Sequence, residues 1–219
     1  MSTHGYDISA YQRGISFDIL KNSARFLILR GGYTTNGGRR KRCTDQYFNT
    51  FYNEAKKYNI PVGVYYYSCA QNYQEGKEDA VYLYNNVLKG RKFEYPIYID
   101  VEDQWMLKAG KTGCTNAVHG FCQYLESKGY YTGFYAGYYV LYNQMFPEPL
   151  KRYTWWCPWW NTSHTPPKKI STIPNMHIWQ HCGGGCKVGG YAIDGDYSYV
   201  DFPKIIKKAG LNGYEKESV

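Results

Sequence analysis

Tyr95-Pro96-Ile97-Tyr98-Ile99-Asp100-Val101-Glu102 is an apolar, β-branched and aromatic run that ends in two carboxylates. Side chains on a strand alternate with a period of two, so Asp100 and Glu102 share a face and Val101 takes the other. Like charges placed side by side at the end of a buried strand raise each other's pKa. Such a couple holds one proton near neutral pH, which is what acid-assisted cleavage of a glycosidic bond requires. The plain alternative is a solvated acidic strand end, and the rest of the chain decides between the two.

Outward from this run the chain keeps a beat. Apolar strand-like segments occur at Phe26-Leu27-Ile28-Leu29, Val62-Gly63-Val64-Tyr65-Tyr66-Tyr67, Ile97-Tyr98-Ile99 and Gly133-Phe134-Tyr135-Ala136. Ile28 to Val64 is 36 residues, Val64 to Tyr98 is 34 and Tyr98 to Phe134 is 36. That is the length of a strand, a helix and two loops. Helical stripes fill the gaps: Tyr47, Phe48, Phe51, Tyr52, Ala55 and Tyr58; then Val81, Tyr84, Val87 and Leu88; then Ala117, Val118, Phe121, Cys122 and Leu125. Each stripe is narrow and has polar residues opposite, so each helix covers a sheet with one face. Repeated units of this kind predict a parallel sheet with right-handed crossovers.

After residue 150 the rhythm shortens. Strand-like segments at Thr154–Cys157, His177–Gln180 and Tyr191–Asp194 follow one another too closely for regular crossover helices. With Tyr6-Asp7-Ile8-Ser9 at the start, the count is eight. The expected fold is α/β, an irregular TIM-like β/α barrel of about eight strands with helices mainly between the first five. The chain is short for a full eightfold barrel. It reads as a single catalytic barrel domain over residues 1–212, followed by a polar, frayed tail over 213–219.

In parallel barrels the chemistry gathers at the C-terminal ends of the strands. Acidic residues sit there on three of the expected strands: Asp7, the Asp100/Glu102 couple and Asp194. The first and last strands of a closed barrel are neighbours, so Asp7 and Asp194 are expected side by side, across the mouth from Asp100 and Glu102. The plain alternatives are a helix cap for Asp7, ahead of Ser9-Ala10-Tyr11, and a turn for Asp194 with Gly195 and Asp196.

At 19% aromatic residues, with 26 Tyr and 6 Trp, the chain is rich in side chains that pair a flat apolar face with a polar edge. Such faces suit sugar rings, although most fill the core. The net charge of +8 draws anionic partners, nucleic acid or an acidic cell-wall polymer. The one dense basic run, Arg39-Arg40-Lys41-Arg42, sits in a Gly-rich loop and matches no nucleic-acid recognition motif. No apolar stretch approaches a membrane span and no basic, apolar leader is visible. The seven scattered cysteines read as free thiols, with one possible bridge between Cys182 and Cys186. His177 and His181 flank a strand-like Ile178-Trp179-Gln180, which sets them about 13 Å apart, too far to share a metal. No metal or cofactor is called for.

The motifs taken together resemble the glycoside hydrolase family 25 lysozymes, the Chalaropsis-type N-acetylmuramidases. Gly5-Tyr6-Asp7-Ile8-Ser9-Ala10-Tyr11-Gln12 is similar to the family's opening Gly-x-Asp-Val-Ser-x-x-Gln. Gly63-Val64-Tyr65-Tyr66-Tyr67, Ile99-Asp100-Val101-Glu102, Trp179-Gln180 and Ile193-Asp194 follow in the family's order. One departure is Asp194-Gly195-Asp196, where the family has Asp-x-Asn; another is His181-Cys182-Gly183-Gly184-Gly185-Cys186, peculiar to this chain. The resemblance implies cleavage of the β-1,4 bond between N-acetylmuramic acid and N-acetylglucosamine in bacterial peptidoglycan. Glu102 is then the general acid and Asp100 the ionised partner. Asp7 and Asp194 hold the sugar and keep the proton on Glu102. Asp103, next in sequence, is expected to face away.

Two residues along a strand span about 6.6 Å. That lies between the ~5.5 Å of retaining pairs and the ~6.5–9.5 Å of inverting ones, so the spacing leaves the stereochemistry open and only the resemblance favours retention. The groove is expected to be lined by Tyr65, Tyr67, Tyr135, Trp156 and Trp179. Arg30 either contacts the substrate or pairs with Asp7. The rival readings are a non-catalytic wall-sugar-binding module on the same barrel and a basic nucleic-acid-binding protein. The want of a visible leader fits a phage endolysin, a virion-borne lysin or a chain whose leader has been removed. Oligomeric state and target bacterium are not legible.

Overall fold

The computed structural model describes residues 2–35, 40–160 and 175–216. In chain order come β1 (Thr3–Ile8), a 3-10 turn (Ala10–Gln12), α1 (Phe17–Leu20), β2 (Leu27–Thr34), β3 (Arg42–Thr44), α2 (Phe48–Lys57) and β4 (Val62–Tyr67). Next are α3 (Tyr73–Leu83), continued by a π turn (Tyr84–Leu88), β5 (Ile97–Asp100), α4 (Gln104–Leu107), α5 (Gly110–Glu126), β6 (Thr132–Tyr135), α6 (Tyr138–Gln144) and α7 (Pro147–Leu150). The sequence closes with β7 (Thr154–Pro158), β8 (Met176–Val188), β9 (Tyr191–Ser198) and α8 (Phe202–Ala209).

Eight strands close a barrel in the order β1-β2-β4-β5-β6-β7-β8-β9, with β9 returning to β1. The short β3 lies outside it, antiparallel on β2. The expected irregular β/α barrel is therefore present, with one difference in sense. Every neighbour from β1 through β8 is parallel, but β9 runs antiparallel to both β8 and β1. Asp194 consequently reaches the barrel mouth from the N-terminal half of its strand, not the C-terminal end. The two-glycine turn Gly189-Gly190, both at positive φ, makes this reversal possible.

Alternation sorts the core into two layers. Leu27, Leu29, Val62, Val64, Ile97, Ile99, Phe134 and Trp155 face outward and pack under the helices. Ile28, Tyr98, Tyr135, Trp156 and Ile178 fill the barrel interior with Phe26 and Tyr95, and Phe202 and Ile206 of α8 plug its floor. Gly133 faces that interior. A Cβ there would lie 2.3 Å from the Thr154 carbonyl oxygen and 2.7 Å from the Tyr98 ring, so glycine makes room for the aromatics.

Outside the barrel α3 and α5 cross at two glycines. A Cβ on Gly76 would stand 2.0 Å from the Ala117 carbonyl oxygen, and one on Gly120 1.9 Å from that of Tyr73. Backbone cannot yield as a side-chain end can. Gly120→Ala is expected to lower stability by about 1–3 kcal/mol, read as a lower urea midpoint at unchanged m-value. An unchanged midpoint would show that the two helices are free to separate.

The basic run meets acids of its own chain. Arg40 pairs with Glu75, and Arg42 bonds Glu78 and Asp79 at 2.8 Å each. These charges pin the β2–β3 hairpin onto α3; Arg39 lies outside the described residues. The polar tail departs from expectation at its start. Tyr214 donates its hydroxyl to Glu94, and Gly213 packs against the backbone of Arg91. Residues 217–219 lie outside the described ones. Among the described residues no helix is long and apolar enough to cross a membrane.

Candidate active site

Asp7 and Asp194 are register partners across the β1–β9 pair, so the juxtaposition expected from barrel closure is present. Neither plain alternative holds. Ser9 caps the 3-10 turn, accepting from the Tyr11 N–H with Gln12 reaching back, which leaves Asp7 free for the mouth. Asp194 lies within continuous β9 instead of a turn. Asp100 ends β5 between Tyr67 on β4 and Tyr135 on β6.

A cavity of about 1000 Å³ opens over these ends. Asp7, Asp100, Glu102 and Asp194 line it, with Arg13, Arg30, Tyr11, Tyr33, Tyr65 and Tyr67 among its walls. A second cavity of about 250 Å³ adjoins it, walled by Tyr135, Trp156, Trp160 and Gln180. Asp7, Tyr65, Asp100, Glu102 and Asp194 line both, so the carboxyls stand where two lobes of one groove meet.

The strand ends at Asp100, and Glu102 follows on irregular chain. Alternation therefore stops there, which corrects the reading of Asp103. It is buried, lines the larger cavity, caps α4 through the Trp105 N–H at 2.8 Å and accepts the Tyr67 hydroxyl at 2.9 Å. Trp179 is the second correction. It is fully buried among the outer core residues and donates its indole N–H to the Trp159 carbonyl at 2.8 Å, away from both cavities. Tyr65, Tyr67, Tyr135 and Trp156 do line them. Arg30 pairs with Asp45 at 2.7 Å, not Asp7, and its guanidinium lies 5.1 Å from the Tyr11 ring and 5.3 Å from that of Tyr33.

Sequence reasoning missed Gln180, Asp196 and Trp160. Gln180 donates to Asp7 at 2.8 Å, while its carbonyl accepts the Tyr135 hydroxyl and the Trp160 indole, each at 3.0 Å. The two donors on one atom fix the amide's orientation. Asp196 lies beneath Asp7 and accepts the Trp156 indole N–H at 2.8 Å. The period of two from Asp194 was a signal for it. The peculiar Gly-rich segment also has a place: it is a bulge of β8, with two residues more than the facing stretch of β9, and the Gly184 N–H donates to Asp194. Cys182 and Cys186 flank this bulge as free thiols.

The carboxyls perturb one another. Glu102 opens to the cavity, yet partial desolvation in the groove, then the charges of Asp194 and Asp103, push it above the usual carboxylate range. Burial, then Glu102 and Asp7, push Asp100 well above it. Asp7 rises through burial and Asp194, opposed by Gln180, and Asp194 rises through burial, opposed by the Gly184 N–H. Each of these four carboxyls is raised by burial, and acids this close together titrate as a set, not one by one. Among the described residues no three His, Cys, Asp or Glu side chains are arranged so that they could hold a metal ion.

A cluster of carboxyls with raised pKa values, set between aromatic walls at the mouth of a β/α barrel, is the arrangement of a carbohydrate-cleaving enzyme of the acid-base type. The model of glycosyl hydrolases family 25 matches residues 6–189, and the chain belongs to that family. It is a glycoside hydrolase.

Solved structures share the fold. A glycosyl hydrolase 25 of Streptococcus pneumoniae, described as a virulence factor participating in host cell invasion, is 22% identical with a TM-score of 0.75, over 95% of this chain and 92% of that one. The bacterial lysozyme from Streptomyces coelicolor is 18% identical with a TM-score of 0.73, over 94% and 96%. The catalytic domain of endolysin ply40, from bacteriophage P40 of Listeria monocytogenes, is 19% identical with a TM-score of 0.72, over 94% and 97%. No curated protein matches the chain.

Proposed function

We propose that this enzyme cleaves the β-1,4 bond from N-acetylmuramic acid to N-acetylglucosamine in peptidoglycan. The observation that carries the reading is the sharing of Asp7, Asp100, Glu102 and Asp194 by both lobes of the groove. A glycan strand laid along it has sugars on either side of the carboxyls. Family membership and the lysozymes of like fold support the substrate class.

Glu102 gives its proton to the departing glycosidic oxygen as the bond to C1 breaks. Positive charge that develops at C1 and the ring oxygen is met by Asp100. Asp100, which lines the cavity, is the more deeply buried of the two, and among the described residues no protein group donates to its Oδ1. A substrate N–H, such as that of the 2-acetamido group, donates to Asp100. It favours the anion of Asp100 and leaves the shared proton on Glu102. The acetamido oxygen then covers C1 until water, deprotonated by Glu102, replaces it from the first face. Retention is the stereochemical consequence. Muramic-acid reducing ends among the fragments, seen by mass spectrometry, test the bond cleaved. The anomer first formed, seen by NMR, tests the route. Glucosaminyl ends or cut peptides would refute the reading, and an inverted product would remove the acetamido step.

Trp160 gives this groove a platform. It is 62% exposed, yet its indole N–H is tied to Gln180 and its ring lies against Gly183. A large apolar face held in place beside the carboxyls suits a sugar ring. Trp160→Ala is expected to raise KM about 10-fold with kcat nearly unchanged, equivalent to about 1.4 kcal/mol of binding. An unchanged KM would leave the face without a sugar to hold.

A further inference from the structure

Asp196 is fully buried beneath the groove and touches neither cavity. Its Oδ1 accepts the Trp156 indole N–H at 2.8 Å, and among the described residues its Oδ2 meets no N–H or O–H donor. Asp196 is the register partner of Gln180, whose amide holds Asp7, and it follows Asp194, the partner of Asp7, by two on the same face, so the Asp7 and Asp196 carboxyls are neighbours. Neighbouring buried carboxylates disfavour double ionisation, and one proton between them turns repulsion into a hydrogen bond. Asp7 already has a donor in Gln180, at 2.8 Å, whereas Asp196 has only the indole.

We propose that Asp196 is a positioning residue that holds a proton and donates it in a hydrogen bond to Asp7, fixing Asp7 as an anion at a set angle to the groove. The proton's location follows from the surroundings. Burial raises both carboxyls, so the difference lies in their partners: Gln180 donates to Asp7 and a hydrogen bond from Asp196 favours its anion, whereas the charge of Asp7 favours the neutral form of Asp196. The titratable groups that act on Asp196 come from several strands: Asp7 on β1, Tyr98 on β5, Tyr135 on β6, Cys186 on β8 and Asp194 on β9 itself. His181 lies against the adjoining Gly195. No Lys or Arg is among them. A second donor on Asp7 makes its carboxylate a rigid acceptor for a sugar hydroxyl. Loss of that proton would set two anions against each other and turn Asp7 away.

The kinetic arm of the test rests on the muramidase reading; the spectroscopic arm does not. D196L, which cannot donate, is expected to lower kcat on peptidoglycan about 10-fold or more with KM within about twofold. D196N offers an amide N–H to Asp7 and a carbonyl to the Trp156 indole, so it recovers most of that loss. Asn also cannot ionise. The parent's alkaline limb then falls with two protons, those of Glu102 and Asp196, and that of D196N with one. Infrared difference spectra at neutral pH are expected to show one protonated-carboxyl band in the parent that is missing in D196N. D196N as impaired as D196L, an alkaline limb as steep as the parent's, or a band count unchanged by the substitution would each overturn the proposal. If the parent itself releases no muramic-acid ends, the hydrolase reading fails, and the infrared band still decides where the proton sits.

Discussion

Glu102→Gln is expected to lower kcat on purified peptidoglycan about 1000-fold while KM stays near that of the parent and the unfolding midpoint does not fall. Gln keeps the volume and the hydrogen-bonding edge of Glu but has no proton to give. The loss should shrink on a glycoside whose leaving group departs without protonation, because only the acid step has been removed. Working pH gives a second handle. Glu102 is raised by burial, then by Asp194 and Asp103, so its acid form survives to a higher pH than an isolated glutamic acid's. Removing the charge of Asp194 lowers that pKa, so Asp194→Asn moves the alkaline limb of kcat/KM toward lower pH. A Glu102→Gln variant that clears cell walls as fast as the parent would return the chain to the rival reading of a sugar-binding module. That module would keep its affinity for the wall and release no new reducing ends.

The residues differ in how far the sequence foretold them, and the reason is where alternation applies. Inside the sheet a period of two holds, and Asp7, Tyr65, Asp100, Tyr135 and Trp156 point inward as it requires. The same rule, with Gln180 inward, turns Trp179 outward into the core. It also makes Asp196 a neighbour of Asp194 on the inner face. Both consequences follow from the sequence once Gln180 and Asp194 are known to face inward. Asp103 was illegible for a different reason. β5 stops at Asp100, and the chain beyond it is shaped by the α4 cap and the Tyr67 hydroxyl, which are tertiary facts. The partner of Arg30 was likewise set by Asp45, a buried residue 15 positions away whose carboxylate also anchors the Ala10 N–H. The direction of β9 depended on a two-glycine turn whose strands were longer than their apolar segments suggested.

Asp100→Asn is expected to abolish most activity, by about 100- to 1000-fold in kcat, and to make the fold more stable. The first effect follows from losing the anion that faces the developing charge at C1. The second follows from proton linkage. Asp100 is pushed well above its ordinary value by burial, then by Glu102 and Asp7. Between its unfolded pKa of about 3.9 and its raised folded value, the native state binds more protons than the unfolded one, so stability falls as pH rises through that window. Below the window both states are neutral at this site and the penalty is absent; above it the penalty is complete. Asn carries no such penalty at any pH. The variant should therefore melt higher than the parent at neutral and mildly alkaline pH, by an amount near 1 kcal/mol, or about 2–4 °C for a chain of this size. The gap should close as the pH falls toward about 4. Asp7, Glu102, Asp194 and Asp196 are shifted the same way, so the parent's own melting temperature should rise on mild acidification before general acid unfolding sets in. Equal melting curves at high pH for parent and variant would show that the free enzyme bears no penalty for this carboxylate. In that event the clustered acids would be held by solvent, and the source of Glu102's retained proton would have to lie in the bound substrate.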